Sequence, residues 1–318
     1  MENRVQHILE LIKDFSDEEM VLLKREINMI KNSTTEIERK KSNTCPNCGS
    51  LAVKKHGKYK TGHRFKCQSC TKTYNNNTRT PLSGIHFSQK MSDFATDMSS
   101  GGTSLRKISD SLGISLKTAF DWRHKILKGY SKSPSQKLKG LAEADETFFL
   151  YSEKGNRAVS DRRPPRKRGG KANKRGISNE QVPVIFGCDR NGEMLIGVGK
   201  RGRISLKDIE KVLAGRIETG TIFCTDSHSS FKAFAKAYKL QYQPVNISSG
   251  HRVVKKVYHI QHVNSAHTQM KKWINRFQGV STKYLDNYMK WFSLMEEVKL
   301  SENQETQFIQ KSVHQVIK

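Results

Sequence analysis

Two acidic residues that lie far apart in the chain have the chemistry of a divalent-metal site. Asp145 falls near the end of a predicted strand over residues 141–149, and Asp226 closes a predicted strand over residues 221–225. If these strands are parallel neighbours, both carboxylates lie at one sheet edge, where they repel each other unless cations neutralise them. Two Mg²⁺ or Mn²⁺ ions about 3.5–4 Å apart would activate an attacking oxygen and stabilise a leaving oxygen, as in phosphoryl transfer. For either aspartate alone, a helix cap or a turn is the alternative.

A predicted helix over residues 263–277 carries polar side chains that could complete this site. Asn264, His267 and Lys271 are spaced i, i+3 and i+7, so they share one face of the helix. Asn264 and His267 are both candidates for a third metal ligand, and an ordinary packed or surface position is an equal alternative for His267. Lys271 could contact a DNA phosphate.

Four cysteines have the spacing of a structural zinc site. Cys45 with Cys48, and Cys67 with Cys70, form two C-x-x-C turns separated by eighteen residues, and each such turn points two thiolates at one position. The basic and aromatic segment between them predicts a zinc ribbon over residues 41–80 that contacts the DNA backbone, with a protein-interaction ribbon as the alternative. Disulfides or an oxidoreductase pair are less consistent with a cytosolic chain.

Residues 86–130 have helical periodicity and contain a pattern of helix, turn and helix. Gly113 lies at the turn, and Ser115 is placed to cap the second helix. The second helix is predicted to expose Lys117, Thr118 and Arg123 to the major groove of DNA. Many helical pairs share this pattern, so the DNA-binding interpretation gains weight from the neighbouring zinc ribbon.

The charge of the whole chain is typical of a protein that binds polyanions. Its 318 residues include 57 Lys and Arg against 30 Asp and Glu, which gives a net charge of +27 and a pI near 9.9. This excess is the electrostatic footprint of nucleic-acid binding, with a ribosomal or merely cationic protein as the alternative. The N-terminus carries charges where a signal peptide needs an apolar run, and no stretch is apolar enough to span a membrane. We therefore expect a cytoplasmic, nucleoid-associated protein with no membrane partner.

The elements that must position the two aspartates lie in a mixed segment over residues 138–298. Its pattern is strand, hairpin, helix, strand, helix, strand and helix, which is the order of an RNase H-like α/β domain. A basic insert between the first strand and the hairpin includes Arg166, Lys167 and Arg168. Charge runs are usually solvated and disordered, but beside a DNA-cleaving site we expect this one to clamp the strand.

The two ends of the chain are less informative. Residues 1–40 predict a helical hairpin, with Ser16 and Glu19 as a capping box, and a packing or self-association role is preferred for it. Residues 299–318 predict a polar tail that is either a loosely held helix or disordered.

Several motifs together resemble a known family of enzymes. They are the cysteine ribbon over residues 45–70 and the segments Asp145-Glu-Thr147, Thr225-Asp-Ser227, His262-Val-Asn-Ser-Ala-His267 and Arg276-Phe-Gln-Gly-Val-Ser-Thr-Lys-Tyr-Leu-Asp-Asn-Tyr288. Across roughly residues 40–295 the chain resembles bacterial insertion-sequence transposases of the zinc-ribbon DDE type, in the ISXO-two-like group. The resemblance implies an α/β fold in which an RNase H-like catalytic domain follows a zinc ribbon and a helix-turn-helix.

The resemblance also implies roles for individual residues. Asp145 and Asp226 would be the first two metal ligands, and Lys271 resembles the basic residue that such enzymes place two turns further along the helix. Asn264 occupies the position at which many relatives carry glutamate. Asparagine there is similar to one branch of the family, although it would hold the second metal less tightly on charge grounds.

The activity that the resemblance implies is DNA transposition with a structural Zn²⁺ and catalytic Mg²⁺ or Mn²⁺. The protein would bind the terminal inverted repeats of an element, hydrolyse a phosphodiester at each end and join the 3′-hydroxyl to target DNA. Its partners would be double-stranded DNA and further copies of itself, as a homodimer or larger synaptic complex, because two ends must meet. The alternatives are a DNA-binding regulator with an inactive site, and a structure-specific nuclease with the same fold.

Overall fold

The computed structural model describes residues 12, 15–16, 19–20, 23, 44–59, 62–130, 136–156, 170–246, 253–299 and 301–313. The chain divides into two compact units, residues 1–76 and residues 77–318. Most of the helical hairpin predicted over residues 1–40 lies outside the described residues, as do Arg166, Lys167 and Arg168 of the basic insert.

Ser16 and Glu19 form the predicted capping box. The Ser16 N–H donates to Glu19 Oε2 at 2.9 Å, and the Glu19 N–H donates to Ser16 Oγ at 3.3 Å. These reciprocal bonds satisfy two backbone donors, and the bond from the Ser16 backbone lowers the pKa of Glu19. This local prediction is confirmed.

The first unit contains a three-stranded antiparallel sheet. Its strands are β1 Val53–Tyr59, β2 Gly62–Cys67 and β3 Thr73–Asn75, in the order β1-β2-β3. The buried apolar cluster of this unit consists of Cys45, Cys67 and Tyr74, with Phe65 stacked on Tyr74 at a centroid distance of 5.5 Å. So small a core does not hold a fold by hydrophobic burial alone, and the cysteines must contribute.

The second unit is built on a five-stranded sheet. Its strands, in chain order, are β4 Leu141–Leu150, β5 Gln181–Asp189, β6 Met194–Val198, β7 Ile222–Thr225 and β8 Gln241–Pro244. Across the sheet the order is β6-β5-β4-β7-β8. Strands β4, β5 and β6 are antiparallel neighbours, whereas β4, β7 and β8 run parallel. The predicted mixed α/β class and the parallel pairing of the two aspartate-bearing strands are therefore present.

Helices cover both faces of this sheet. They are α1 Ser88–Ser99, α2 Leu105–Leu112, α3 Leu116–Gly129, α4 Leu206–Leu213, α5 Ser229–Ala237, α6 Gln261–Asn275, α7 Thr282–Val298 and α8 Gln304–Ser312. Because side chains alternate along a strand, β4 contributes to two cores. Ala142 and Ala144 pack with residues of α4 and α5, while Leu141 and Phe149 pack against a larger cluster that includes α6 and α7. Odd-numbered residues of β4 consequently face α6.

Helices α2 and α3 are joined by the predicted turn. Gly113 has a φ of 58°, in the left-handed region that a glycine at a helix C-terminus adopts readily. Ser115 caps α3, because its Oγ accepts from the Thr118 N–H at 3.0 Å. Ile108, Ala119 and Ile126 from this pair belong to the same cluster as residues of α6 and α7. The helical pair thus shares a core with the sheet and has no separate core of its own.

The expectation of a loosely held or disordered tail is wrong for residues 301–313. Helix α8 buries Phe308, Ile309 and Val313 in the large cluster. The Thr96 hydroxyl of α1 also donates to Glu305 at 3.0 Å. Spacing of i, i+1 and i+5 places these apolar residues on one face, which the polar composition of the tail concealed.

In the part of the chain that the structure describes, no helix combines the length and the apolar character needed to cross a membrane.

Candidate active site and metal sites

Asp145 and Asp226 lie side by side at the carboxyl end of β7. The parallel pairing of β4 with β7 ends at Ala144 opposite Thr225, so the two aspartates are the next residues in register. Asp145 therefore lies in the middle of β4, which runs on to Leu150 by pairing with β5, and not near its end as predicted. Each carboxylate accepts a local N–H, Asp145 from Glu146 at 2.9 Å and Asp226 from His228 at 3.0 Å.

Like charges and burial make this edge of the sheet unfavourable for carboxylates without cations. The pKa of Asp145 is raised to about 7, first by burial and then by the negative charge of Asp226. The pKa of Glu146 is raised to about 8 by burial and by both aspartates. Lys271 partly compensates Asp145, because its positive charge lowers the pKa of that carboxyl group. A divalent cation bound between the aspartates would relieve the remaining repulsion.

Helix α6 brings His267 against Asp145. The imidazole Nδ1 lies 3.9 Å from Asp145 Oδ2, which is too long for a direct hydrogen bond. Burial, together with the charge of Lys271, lowers the pKa of His267 to about 4, so the ring is neutral at pH 7. The ring packs edge-to-face with Phe186 at a centroid distance of 4.6 Å, and its Nε2 has no hydrogen-bond partner among the described residues.

The other two predicted residues of α6 are exposed. Asn264 lies about one turn before His267, and Lys271 about one turn after it. Among the described ionisable residues of α6, His267 is the one whose side chain lies within 4 Å of the Asp145 carboxylate. The structure thus brings His267 to Asp145 and places the charge of Lys271 near it, while the role of Asn264 and the identity of a third ligand stay predictions.

A second buried polar cluster next to this site was missed by sequence reasoning. Glu143, two residues before Asp145 on the same face of β4, is fully buried. Around its carboxylate lie His262 Nδ1 at 2.7 Å, His259 Nδ1 at 3.2 Å and Arg190 Nε at 3.9 Å. The available sequence signal was an acidic residue at an inward-facing strand position; its partners are too distant in the chain to be paired by pattern.

The four predicted zinc ligands converge in the first unit. Cys45 Sγ lies 3.7 Å from Cys70 Sγ, and Cys48 Sγ lies 3.6 Å from Cys67 Sγ. These separations are far longer than a disulfide bond, and they match tetrahedral Zn²⁺, for which a Zn–S distance of about 2.3 Å places sulfurs about 3.8 Å apart. The pKa of Cys67 is lowered to about 6, first by the hydrogen bond from the Cys70 N–H, which favours the thiolate. The donor set therefore fits structural zinc.

The predicted exposure of Arg123 on α3 is wrong. Its side chain is buried, with Nη2 donating to the Thr103 carbonyl at 3.1 Å and the guanidinium 5.0 Å from the centre of the Trp291 ring. Burial lowers the pKa of Arg123. The residue lies four positions after Ala119 and three before Ile126, so it is on the core face of the helix. It cannot reach the major groove from this position.

Lys117 and Thr118, in contrast, lie on the first turn of α3. Lys117 is exposed and forms an ion pair with Asp121 at 2.7 Å, while the Thr118 hydroxyl lies 2.9 Å from that of Ser115. The DNA contact of both residues stays a prediction.

The long motif over residues 276–288 comprises the connection from α6 to α7 and the N-terminal part of α7. Lys154, which follows β4, donates through Nζ to the carbonyls of Gln278 at 2.9 Å and Gly279 at 2.7 Å. Gly279 has a φ of 93°, which explains the glycine there. The motif borders a cleft of about 870 Å³ that is shared with α2 and α3.

Comparisons with known proteins agree with this organisation. A family model described as the ISXO2-like transposase domain matches residues 137–297. An uncharacterised protein in the transposable element ISH50 of Halobacterium salinarum is 26% identical over 262 residues, covering 80% of this chain and 85% of that protein.

Among solved structures, the Mos1 transposase paired-end complex with the left transposon end is 10% identical and has a TM-score of 0.23, covering 70% of this chain and 78% of that one. The mariner Mos1 paired-end complex with Mg is 9% identical, also with a TM-score of 0.23, covering 69% and 77%. At these TM-scores the structural likeness supports no conclusion about this chain.

Proposed function

The chain belongs to the ISXO2-like transposase family, and from that premise we propose that it is a metal-dependent DNA transposase. The observation that carries the proposal is the register of β4 and β7, which sets Asp145 beside Asp226 at one edge of the sheet. The raised pKa of Asp145 supports a role for cations there, because a largely desolvated acid beside a second carboxylate is stabilised by bound positive charge.

The residues of this edge fit hard divalent cations such as Mg²⁺ or Mn²⁺. Asp145 and Asp226 would supply oxygen ligands, and either Asn264 or the neutral imidazole of His267 would supply a third. Bound metal would activate the attacking oxygen and stabilise the leaving oxygen at a phosphodiester. Lys271, exposed one turn further along α6, would hold a DNA phosphate near the two aspartates.

The remaining parts of the chain would hold DNA. The first turn of α3, with Lys117 and Thr118, would enter the major groove as part of a helix-turn-helix, and the zinc-stapled ribbon would contact the backbone. Arg166, Lys167 and Arg168 of the basic insert would bind the strand beside an RNase H-like catalytic domain. Double-stranded element ends and target DNA would be the substrates, and two copies or more would assemble on paired ends.

Strand cleavage of end-containing DNA is the direct test. Wild-type protein should nick a plasmid that carries the element ends in Mg²⁺ or Mn²⁺, and Asp226→Ala should lower the rate by about a hundredfold or more because a metal ligand is lost. Glu218→Ala, an equal change of charge at an exposed position, is the matched control and should nick like wild type. Asn264→Ala and His267→Ala in the same assay compare the two candidate third ligands.

Other outcomes would support other functions. Equal nicking by wild type and Asp226→Ala would remove Asp226 from the site. End-specific DNA binding without nicking in either metal would favour a regulator with an inactive site. Cleavage of branched DNA regardless of end sequence would favour a structure-specific nuclease.

A further inference from the structure

Glu143 is a buried carboxylate that the two-aspartate site does not use. Its Oε2 accepts from the His262 N–H at 2.9 Å and from the Val263 N–H at 3.3 Å. These amides belong to the first turn of α6, where backbone donors have no partner within the helix. Ile260, which precedes the helix, provides no side-chain cap. Glu143 therefore caps α6 from across the fold, and its negative charge also matches the positive end of the helix dipole.

The other oxygen of Glu143 is held by side chains. Oε1 lies 2.7 Å from His262 Nδ1 and 3.2 Å from His259 Nδ1. On its far side, His259 Nε2 lies 3.0 Å from Arg190 Nη2. A guanidinium nitrogen only donates, so Nε2 of His259 must accept, and in the neutral ring its Nδ1 must carry the hydrogen. Such an Nδ1 donates to Glu143 and is not available as a metal ligand. The cluster is therefore a hydrogen-bonded clamp and not a third metal site.

The distances along β4 and α6 relate the Glu143 cluster to the aspartate pair. From Glu143 to Asp145 the strand advances about 6.6 Å, at about 3.3 Å per residue. From His262, bound by Glu143, to His267, beside Asp145, the helix advances about 7.5 Å, at about 1.5 Å per residue. The two intervals nearly match, so α6 lies along β4 with one contact at its first turn and another at the metal edge.

We propose that Glu143 is a positioning residue that fixes α6 on β4 and thereby sets where His267, and with it Asn264 and Lys271, stand relative to the two aspartates. The inference rests on the proposed function for its catalytic consequence. Both carboxylate oxygens of Glu143 accept hydrogen bonds from N–H groups. In Glu143→Gln one of these oxygens becomes an NH₂ group, which cannot accept, so either orientation of the amide sets two donors against each other.

The test uses Glu143→Gln in the full-length protein, with Asp208→Asn as the matched control. Asp208 is also a buried acid that caps a helix, accepting from the Ser205 N–H at 3.0 Å, but it serves α4 on the opposite face of the sheet. Three quantities are measured: amide hydrogen exchange over residues 260–268, affinity for end-containing DNA, and the single-turnover nicking rate at saturating DNA and Mn²⁺.

For Glu143→Gln we expect the His262 and Val263 amides to exchange about tenfold faster or more, and nicking to fall by at least about tenfold, because bonds to a buried charged group are lost. DNA affinity should fall by no more than about threefold, because Lys271 is the DNA contact predicted on α6 and the other predicted contacts lie on α3, the ribbon and the basic insert. Asp208→Asn should leave both α6 exchange and nicking within about twofold of wild type even if it lowers the melting temperature.

The proposal would be overturned if Glu143→Gln folds and shows the amide exchange and nicking rates of wild type. It would also be overturned if Asp208→Asn loses as much nicking activity as Glu143→Gln. If Glu143→Gln does not fold, His262→Ala decides. It removes the 2.7 Å bond to Oε1 and the stacking of the half-exposed His262 ring on His259, but keeps the His262 N–H that Glu143 caps. It should show a smaller change in the same direction, and no change would overturn the proposal. Wild-type protein that nicks under no condition overturns the proposed function instead, and amide exchange then still reports whether Glu143 holds α6.

Discussion

The pKa of Asp145 reports the charge repulsion at the site. Its pKa rises from 3.8 to about 7, first through burial and then through Asp226. A carboxyl group whose pKa is raised by folding binds its proton more tightly in the folded state. It therefore stabilises the metal-free fold fully below about pH 4, and this contribution is lost as pH rises through about 7. Glu146, with a pKa near 8, acts with the same sign.

Replacing Asp145 by the nearly isosteric asparagine should therefore stabilise the metal-free protein at high pH. We expect Asp145→Asn to exceed wild type in free energy of unfolding by about 2–4 kcal/mol at pH 8, and by less than about 1 kcal/mol at pH 4. Urea unfolding at both pH values, in buffer without Mg²⁺ or Mn²⁺, measures this difference. Adding Mn²⁺ should stabilise wild type and not the variant. A variant less stable than wild type at pH 8 would contradict the proposed charge repulsion.

At the scale of elements, the features that depend on neighbouring residues in the chain could be predicted from the sequence, whereas contacts between distant segments could not. The strands of the sheet, helix α6 and the capped turn at Ser115 all follow from apolar periodicity and local capping. The prediction that Arg123 is exposed is wrong because its helical position, between Ala119 and Ile126 on the core face, decides its burial and its charge does not. Glu143 was missed because the amide that it caps lies 119 residues later in the chain. No local pattern pairs residues so far apart.

The ribbon is the element whose stability should depend on a metal. Its buried cluster is too small to hold three strands, so removing zinc, or Cys67→Ser, should unfold residues 53–75 while residues 77–313 keep their protection. Metal analysis and hydrogen exchange on the full chain measure this, with about one zinc per chain expected. Cys188→Ala, which alters a buried cysteine of β5, is the control and should retain the zinc. A ribbon that stays folded without metal would contradict the assignment.

At the scale of the whole molecule, the net charge of +27 ensures attraction to any DNA and so cannot by itself identify the DNA-binding surface. The effect of a local group of charges on DNA binding must therefore be distinguished from the effect of the total charge. The basic insert can be compared with helices α4 and α5, because both regions carry several cations. Helices α4 and α5 lie on the face of the sheet away from α6.

Neutralising the insert should change the salt dependence of DNA binding more than an equal loss of charge elsewhere. Each phosphate contact contributes about −0.9 to the slope of log K against log salt concentration. Replacing Arg166, Lys167 and Arg168 together by alanine should therefore make the slope shallower by about 3 if each binds a phosphate. The control replaces Lys207, Lys232 and Lys236, exposed residues of α4 and α5, and should change the slope by less than about 1. Fluorescence anisotropy between about 50 and 200 mM salt measures both slopes. Equal changes in the two triple variants would mean that DNA responds to total charge alone, and the insert would lose its proposed role as a clamp.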